Sequence, residues 1–243
     1  MKKLGVIGGL GPMATAYFFQ LVTQMSSAET DQEHIETIIY SKPTIPDRTK
    51  YILDRNEKNP VGDIIEVGNA LKASGAEVIA IPCITAHFFH SEIEDALKLP
   101  IIHGIEETAI YLKSRNITKI GIMATDGTIQ SELFQKTFQK NELQSVLPDE
   151  ENQKKVMSII YDNVKAGKAV NMDKFKEIST YLFEQGAEVI ILACTELSIV
   201  KRDYKLPAGY LDVLEVLALN AVKQCGKVRE DCLELITKEE GEK

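Results

Sequence analysis

One stretch of this chain occurs twice. "GAEVIAIPCITAHF" runs from Gly75 to Phe88, and "GAEVIILACTELSI" from Gly186 to Ile199. The first five residues are the same, and in each copy a cysteine stands four residues beyond the shared isoleucine, at Cys83 and at Cys194. Gly-Ala-Glu is a common way to leave a helix, and the apolar run after it has the length and β-branching of a buried strand. Two further landmarks recur in the same order. "LGVIGGLG" at 4–11 resembles "IGIMATDG" at 120–127, and "KLP" at 98–100 returns at 205–207. The offsets drift from 116 to 111 to 107. That pattern fits two copies of about 110 residues separated by small insertions. A chain built this way has to fold as two similar halves.

Each half alternates strand and helix. The patterning predicts strands at 3–8, 34–41 and 76–82, and helices from Pro12, over 62–74, over 85–97 and up to Leu112. A new cycle begins with a strand at 117–125. Strands separated by helices imply parallel sheets. The expected fold is therefore α/β: two similar lobes, each a parallel sheet flanked by helices, with the site in the cleft between them.

Charge and composition narrow the function. The net charge is −8, so the chain lacks the basic face that nucleic acid or an anionic membrane demands. No run approaches the ~20 apolar residues of a membrane span. "MKKLGVIGGLGP" has no apolar core and cleavage site of a signal peptide. Four cysteines in 243 residues do not make a disulfide framework, so free thiols and a cytoplasmic location are expected.

In open α/β sheets, ligands bind beyond the carboxyl ends of the strands. Cys83 and Cys194 fall at that edge, each at a strand-to-helix turn. Facing lobes would put one thiol on either side of a bound molecule. This suits proton exchange at a carbon with two faces: one sulfur removes the Cα proton and the other supplies one from the opposite side. The helix after each cysteine favours a thiolate, whereas two facing thiolates repel, so one thiol and one thiolate are expected, titrating as a pair. A lone cysteine after a buried strand is usually a small core residue. Repeat-equivalent placement, each cysteine followed closely by threonine, points instead to a shared task. Cys225 and Cys232 lie near a charged C-terminal stretch with no partner histidine, and no role is expected of them.

Gly9 to Ala14 matches G-x-G-x-x-A after a strand, the form of a dinucleotide loop. The acid expected at the end of the second strand is missing, since that strand ends "IIYSKP". Gly9 and its neighbours are better suited to bringing backbone amides to a substrate carboxylate. His87 and His90, three apart, could begin a metal site, but no further ligand cluster accompanies them. No cofactor and no metal are expected. A two-lobed binding protein without catalysis is a third reading.

The landmarks "GVIGGLGPMAT" (5–15), "PDRT" (46–49), "PCITAH" (82–87), "ATDGT" (124–128), "VLPDEENQ" (146–153), "YDNVKAG" (161–167) and "ACTE" (193–196) resemble the aspartate/glutamate racemases, above all the aspartate branch. These are cofactor-independent enzymes that use two cysteines. The resemblance covers nearly the whole chain to about Cys225. It implies that Cys83 and Cys194 are the proton-transfer groups. It implies that Arg48 and Lys165 bind the carboxylates of an acidic amino acid, with Thr85, Thr125 and Thr195 lining the cleft. Glu196 matches the acid beside the second cysteine, which could steer a thiol proton or merely start a helix. Two positions depart from the family pattern. Ile84 stands where an asparagine is usual, removing a side chain expected to touch the substrate, and Ala193 stands for a glycine. Glutamate or another amino acid is the alternative substrate. The family also implies lobes of 1–103 plus 213–243 (carrying Cys83) and 104–212 (carrying Cys194), and a homodimer.

Overall fold

The computed structural model describes residues 1–239. The last residues of the predicted first lobe, 240–243, lie outside them. The chain opens with β1 (Leu4–Gly8), α1 (Pro12–Met25) and β2 (Thr37–Ser41). There follow α2 (Arg48–Leu53), α3 (Val61–Ala73), β3 (Val78–Ala80), a 3₁₀ turn (Ile84–Phe89), α4 (His90–Leu97) and α5 (Gly104–Ser114). The second cycle runs β4 (Lys119–Met123), α6 (Asp126–Gln130), α7 (Leu133–Lys140), β5 (Gln144–Val146) and α8 (Glu150–Ser158). It continues through a π-helical segment (Ile159–Lys165), α9 (Met172–Glu184), β6 (Val189–Leu192), α10 (Thr195–Asp203), β7 (Tyr210–Asp212) and α11 (Val213–Cys225).

The strands form two sheets, ordered β2-β1-β3 and β5-β4-β6-β7, and every pairing is parallel. A parallel bridge from Ile79 to Ile101 adds a rudimentary fourth position to the first sheet, where β7 stands in the second. The duplicated landmarks thus become duplicated topology: "KLP" leads into the outermost position each time.

The repeated pentapeptide has a local cause. α3 and α9 both end on a glycine with a left-handed backbone, Gly75 at φ 92° and Gly186 at φ 88°. The next N–H, on Ala76 or Ala187, turns back to Leu71 or Leu182. Only glycine takes that conformation without steric cost, and the turn aims the chain into a strand. Side chains then alternate faces. Val78 and Val189 point into one central apolar cluster, while Ile79 and Ile190 point into separate outer clusters.

The central cluster is shared by both sheets. It gathers Val6, Ile122 and Ile191 from the strands with Phe18 of α1, Ile105 of α5, Phe134 of α7 and Leu217 of α11. The outer face of the first sheet is covered by α3 and α4, through Ile64, Val67 and Ile93. That of the second is covered by α8, α9 and α10, through Val156, Ile178 and Leu197. Each such side chain, fully buried, contributes about 1.5–3 kcal/mol relative to exposure. α11 packs on α1, α5 and β3, although it follows β7 of the other sheet. α2 meets α6 across the gap between the sheets.

The helix expected over 85–97 is divided. Residues 84–89 wind as a 3₁₀ turn, in which Ala86 N donates to the Cys83 carbonyl, and only from His90 is the helix α. α2, absent from the sequence reading, begins at Arg48 because Asp47 caps it, accepting a hydrogen bond from Lys50 N at 3.0 Å.

Candidate active site

Both cysteines sit where a strand has ended and a helical turn begins. Cys83 is the N-cap of the 3₁₀ turn and Cys194 that of α10. Each is 6% exposed, and all four cysteines are free thiols. The two line one inner cavity of about 20 Å³, together with Arg48, Lys165, Tyr161 and Glu196. Such a volume holds about one water molecule. Thr85, Thr125 and Thr195 and Ile84 complete much of the wall. Outside lies a vestibule of about 500 Å³ bordered by Gly9, Leu10, Met13, Pro43 and Ile199. Arg48, Lys165, Thr195 and Glu196 belong to both linings and form the partition.

The surroundings of the two sulfurs differ. Cys194 Sγ–H donates to Glu196 Oε2 at 2.9 Å. Burial, and then the Glu196 carboxylate, push the Cys194 thiol well above its usual pKa, so it is protonated at neutral pH. Glu196 Oε1 is 3.6 Å from Lys165 Nζ, and Lys165 Nζ also lies 4.8 Å above the Tyr161 ring. Burial opposes the Lys165 charge, but Glu196, both thiols and Tyr161 outweigh it and hold its pKa above the ordinary value.

Arg48 is 9% exposed and, among the described residues, pairs with no carboxylate. Its Nη1 donates to the carbonyls of Pro46 (2.9 Å) and Ile45 (3.3 Å), and its Nη2 to that of Leu10 (2.9 Å). Nε is buried without a hydrogen-bond partner. The guanidinium is thus fixed by backbone, while Nε–H and one Nη2–H have no oxygen or nitrogen partner among the described residues and the group also interacts with the Cys83 sulfur. Burial opposes its charge, and the neighbouring Cys83 sulfur, with Asp47 and Glu196, more than offsets this.

The threonines form a buried knot between the sheets. Thr85, Thr125 and Thr128 lie in a triangle of 3.1 Å hydroxyl contacts, and Thr49 of α2 reaches Thr125 at 3.4 Å. Gly9, at φ 89°, brings its backbone against Lys42 and Pro43 so closely that a Cβ would stand 2.5 Å from the Lys42 backbone. Its N–H is taken by the Thr15 hydroxyl at 3.0 Å.

A family model described as Asp/Glu/Hydantoin racemase matches residues 7–219. The chain belongs to that family. It is 30% identical over 228 residues to "Broad specificity amino-acid racemase RacX" of Bacillus subtilis (strain 168), spanning 90% of this chain and 96% of that one. Picrophilus torridus aspartate racemase superposes with a TM-score of 0.80 at 29% identity, over 96% of this chain and 98% of that one. A glutamate racemase from Francisella tularensis subsp. tularensis SCHU S4, in complex with D-glutamate, shares the fold at 18% identity and a TM-score of 0.66, over 97% of this chain and 84% of that one.

In this racemase-family chain, every residue singled out from the sequence as a site candidate lies on the inner cavity or its vestibule. Ile84 is 2% exposed and joins the central apolar cluster. Cys225 is buried in α11, where burial raises its thiol to about 11. His87 and His90 stack on each other and both meet the His103 ring at a tilt, with ring centroids 4.2–6.1 Å apart. Among the described residues no three His, Cys, Asp or Glu side chains are placed to share a metal ion. No helix among them is long and apolar enough to cross a membrane. Tyr161, Asp47, Thr49 and Thr128 are cavity or knot residues that sequence reasoning did not name, although each falls inside a quoted landmark.

Proposed function

We propose that the chain is a cofactor-independent racemase of aspartate that moves a proton between Cys83 and Cys194 through the substrate's Cα. The observation that supports this is the meeting of two thiols and two cations in one buried cavity between the sheets. Cys194, protonated and held by Glu196, is the acid in one direction, and Cys83 is then the base. Each forward turnover leaves Cys194 as the thiolate and Cys83 carrying the proton taken from Cα, which is the state that runs the reverse reaction, and Glu196, in contact with the Cys194 thiol, is placed to exchange its proton. The N–H groups of Arg48 and the Lys165 ammonium give each carboxylate of a dicarboxylic amino acid a cation. Thr85, Thr125 and Thr195 offer hydroxyls to the remaining polar groups. An amino acid is far larger than the inner cavity, so binding parts the walls and draws Lys165 from Glu196. The lobe division of 1–103 with the helix from 213, against 104–212, belongs to this proposal; α11 lying on α1 and β3 favours it, and α11 also joins the two lobes by packing on α5.

Ile84 favours a second reading. An apolar residue in place of an amide loosens the demand for a particular polar side chain, in line with the breadth stated in the name of the Bacillus subtilis relative. Glutamate or another amino acid is the substrate in that case.

Incubating the protein with L- or D-aspartate in D₂O tests both. Aspartate is expected to lose its Cα proton signal and racemise without added cofactor. Exchange confined to other amino acids supports the second reading; no exchange with any amino acid leaves a binding protein. Cys83→Ser and Cys194→Ser should each lower two-way racemisation by about 10²–10⁴-fold, and full activity in either removes that thiol from the mechanism.

A further inference from the structure

Behind Cys194, away from the cavity, lies a polar joint that the proposed chemistry does not use. Asp212 ends β7, caps α11 and is fully buried. Its Oδ1 accepts from Ser198 Oγ at 2.7 Å and from Leu214 N at 2.9 Å. Oδ2 has no partner. Ser198, itself fully buried, follows Cys194 by one helical turn, and its N–H donates to the Cys194 carbonyl at 3.3 Å. The other end of the joint is α11, which lies against β3, the strand that leads to Cys83.

The first lobe places two imidazoles at the matching positions, near each other but with no hydrogen bond between them: His87 Nε2 pairs with the Ile81 carbonyl and His103 Nδ1 accepts from Glu106 N. His87 follows Cys83 as Ser198 follows Cys194, and His103 caps α5 as Asp212 caps α11. The His87 and His103 rings are 5.6 Å apart. Only behind Cys194 are the two matching positions tied by a hydrogen bond.

We infer that Asp212 is a positioning residue for proton transfer at Cys194, locking the start of α10 through Ser198 to the start of the helix that rests on the first sheet. The inference rests on Cys194 being a proton-transfer group. Ionised, Asp212 offers Oδ1 as a strong double acceptor. A proton on the free Oδ2 turns Oδ1 into a carbonyl and weakens the lock. Burial, and then Glu215, raise its pKa to about 7. The groups facing it are Glu215 on α11, Lys201 on α10, paired to Glu215 at 2.6 Å, and Tyr17 on α1. Arg202 lies over the Tyr17 ring. Tyr17 stays protonated because it is buried and faces Asp212 and Glu215.

Racemisation by the wild-type protein is therefore expected to fall as pH drops through about 7. Asp212→Asn should lower kcat about tenfold with KM within about twofold, because misplacement remote from the chemistry acts on turnover. It should also erase that acid limb and speed alkylation of Cys194, followed by mass spectrometry, as the helix start loosens. Ser198→Ala should do the same and carries the test should Asp212→Asn not fold. A variant with the wild-type pH profile and Cys194 alkylation rate overturns the inference, even if its thermal midpoint has dropped. A wild-type protein that exchanges no Cα proton sinks the racemase reading instead, while the alkylation rates still decide whether Asp212 positions Cys194.

Discussion

Cys83 and Cys194 are equally buried, yet their neighbours differ: a guanidinium fixed by three carbonyl contacts beside one, a carboxylate in hydrogen-bond contact with the other. In the proposed two-direction proton transfer one sulfur begins protonated, and the unlike neighbours favour Cys194 for that state. Glu196 is the residue that most clearly enforces this. Replacing it by glutamine removes the negative charge that, after burial, does most to hold the Cys194 proton. The Cys194 pKa is then expected to fall and its alkylation at neutral pH to quicken, while racemisation drops about 10²-fold because the group proposed to exchange the Cys194 proton is gone. Titrating alkylation of the wild type and Glu196→Gln, with peptide mapping to separate Cys194 from Cys83, checks the sign. Of these residues, the cysteines were legible from the repeat alone. Arg48 and Lys165 could be linked to the site only by family resemblance, because nothing in their spacing separates a cation that borders a cavity from an ordinary surface one.

At the scale of elements, the site is made by ends and interruptions of helices. Both cysteines are N-caps, Arg48 is the first residue of α2, and Lys165 closes a π-helical segment. π segments are rare and gather at functional sites; this one sets Tyr161 beneath Lys165. The loop between β1 and α1 depends on Gly9. Alanine there would need a left-handed backbone and would drive its Cβ to 2.5 Å from the Lys42 backbone. Gly9→Ala should therefore lose more than about 2 kcal/mol in urea unfolding, beyond the usual single-mutant range of about 0.5–3 only if Lys42 cannot move. It should also impair activity, as the loop borders the vestibule. The periodicity of 85–97 announced a helix but not its division, since a 3₁₀ turn and an α-helix place apolar residues alike over so few positions.

For the whole molecule, two sheets share one apolar centre and keep separate outer layers, so the lobes are joined through hydrophobic packing as well as through the site. The histidine group beneath Cys83 makes this assembly sensitive to acid. Burial, with help from neighbouring imidazoles, lowers His87 to about 3 and His103 to about 4. These bases bind protons in the unfolded chain before the folded one, so their contribution is intact above about 6.5 and is lost as pH falls towards about 3. The slope is about 1.4 kcal/mol per pH unit for each proton. Asp212 acts oppositely: raised to about 7, it favours the fold below the normal aspartate range and loses that contribution as pH rises through 7. Two histidines against one carboxylate predict net destabilisation between about pH 6.5 and 4. His87→Gln should flatten that slope by about one proton in urea midpoints measured across it. Sequence alone determined the duplication, the parallel sheets and the paired thiols, because each is written in local periodicity and in the order of landmarks along the chain. Tertiary structure alone decided that Glu196 holds the Cys194 proton, that Arg48 is pinned by carbonyls of two separate segments, that Thr49 of α2 joins Thr85, Thr125 and Thr128 in one hydroxyl knot, and that Asp212 braces Ser198. These contacts join residues brought together by the packing of two sheets, and both their distances and their desolvation arise only when that packing excludes water.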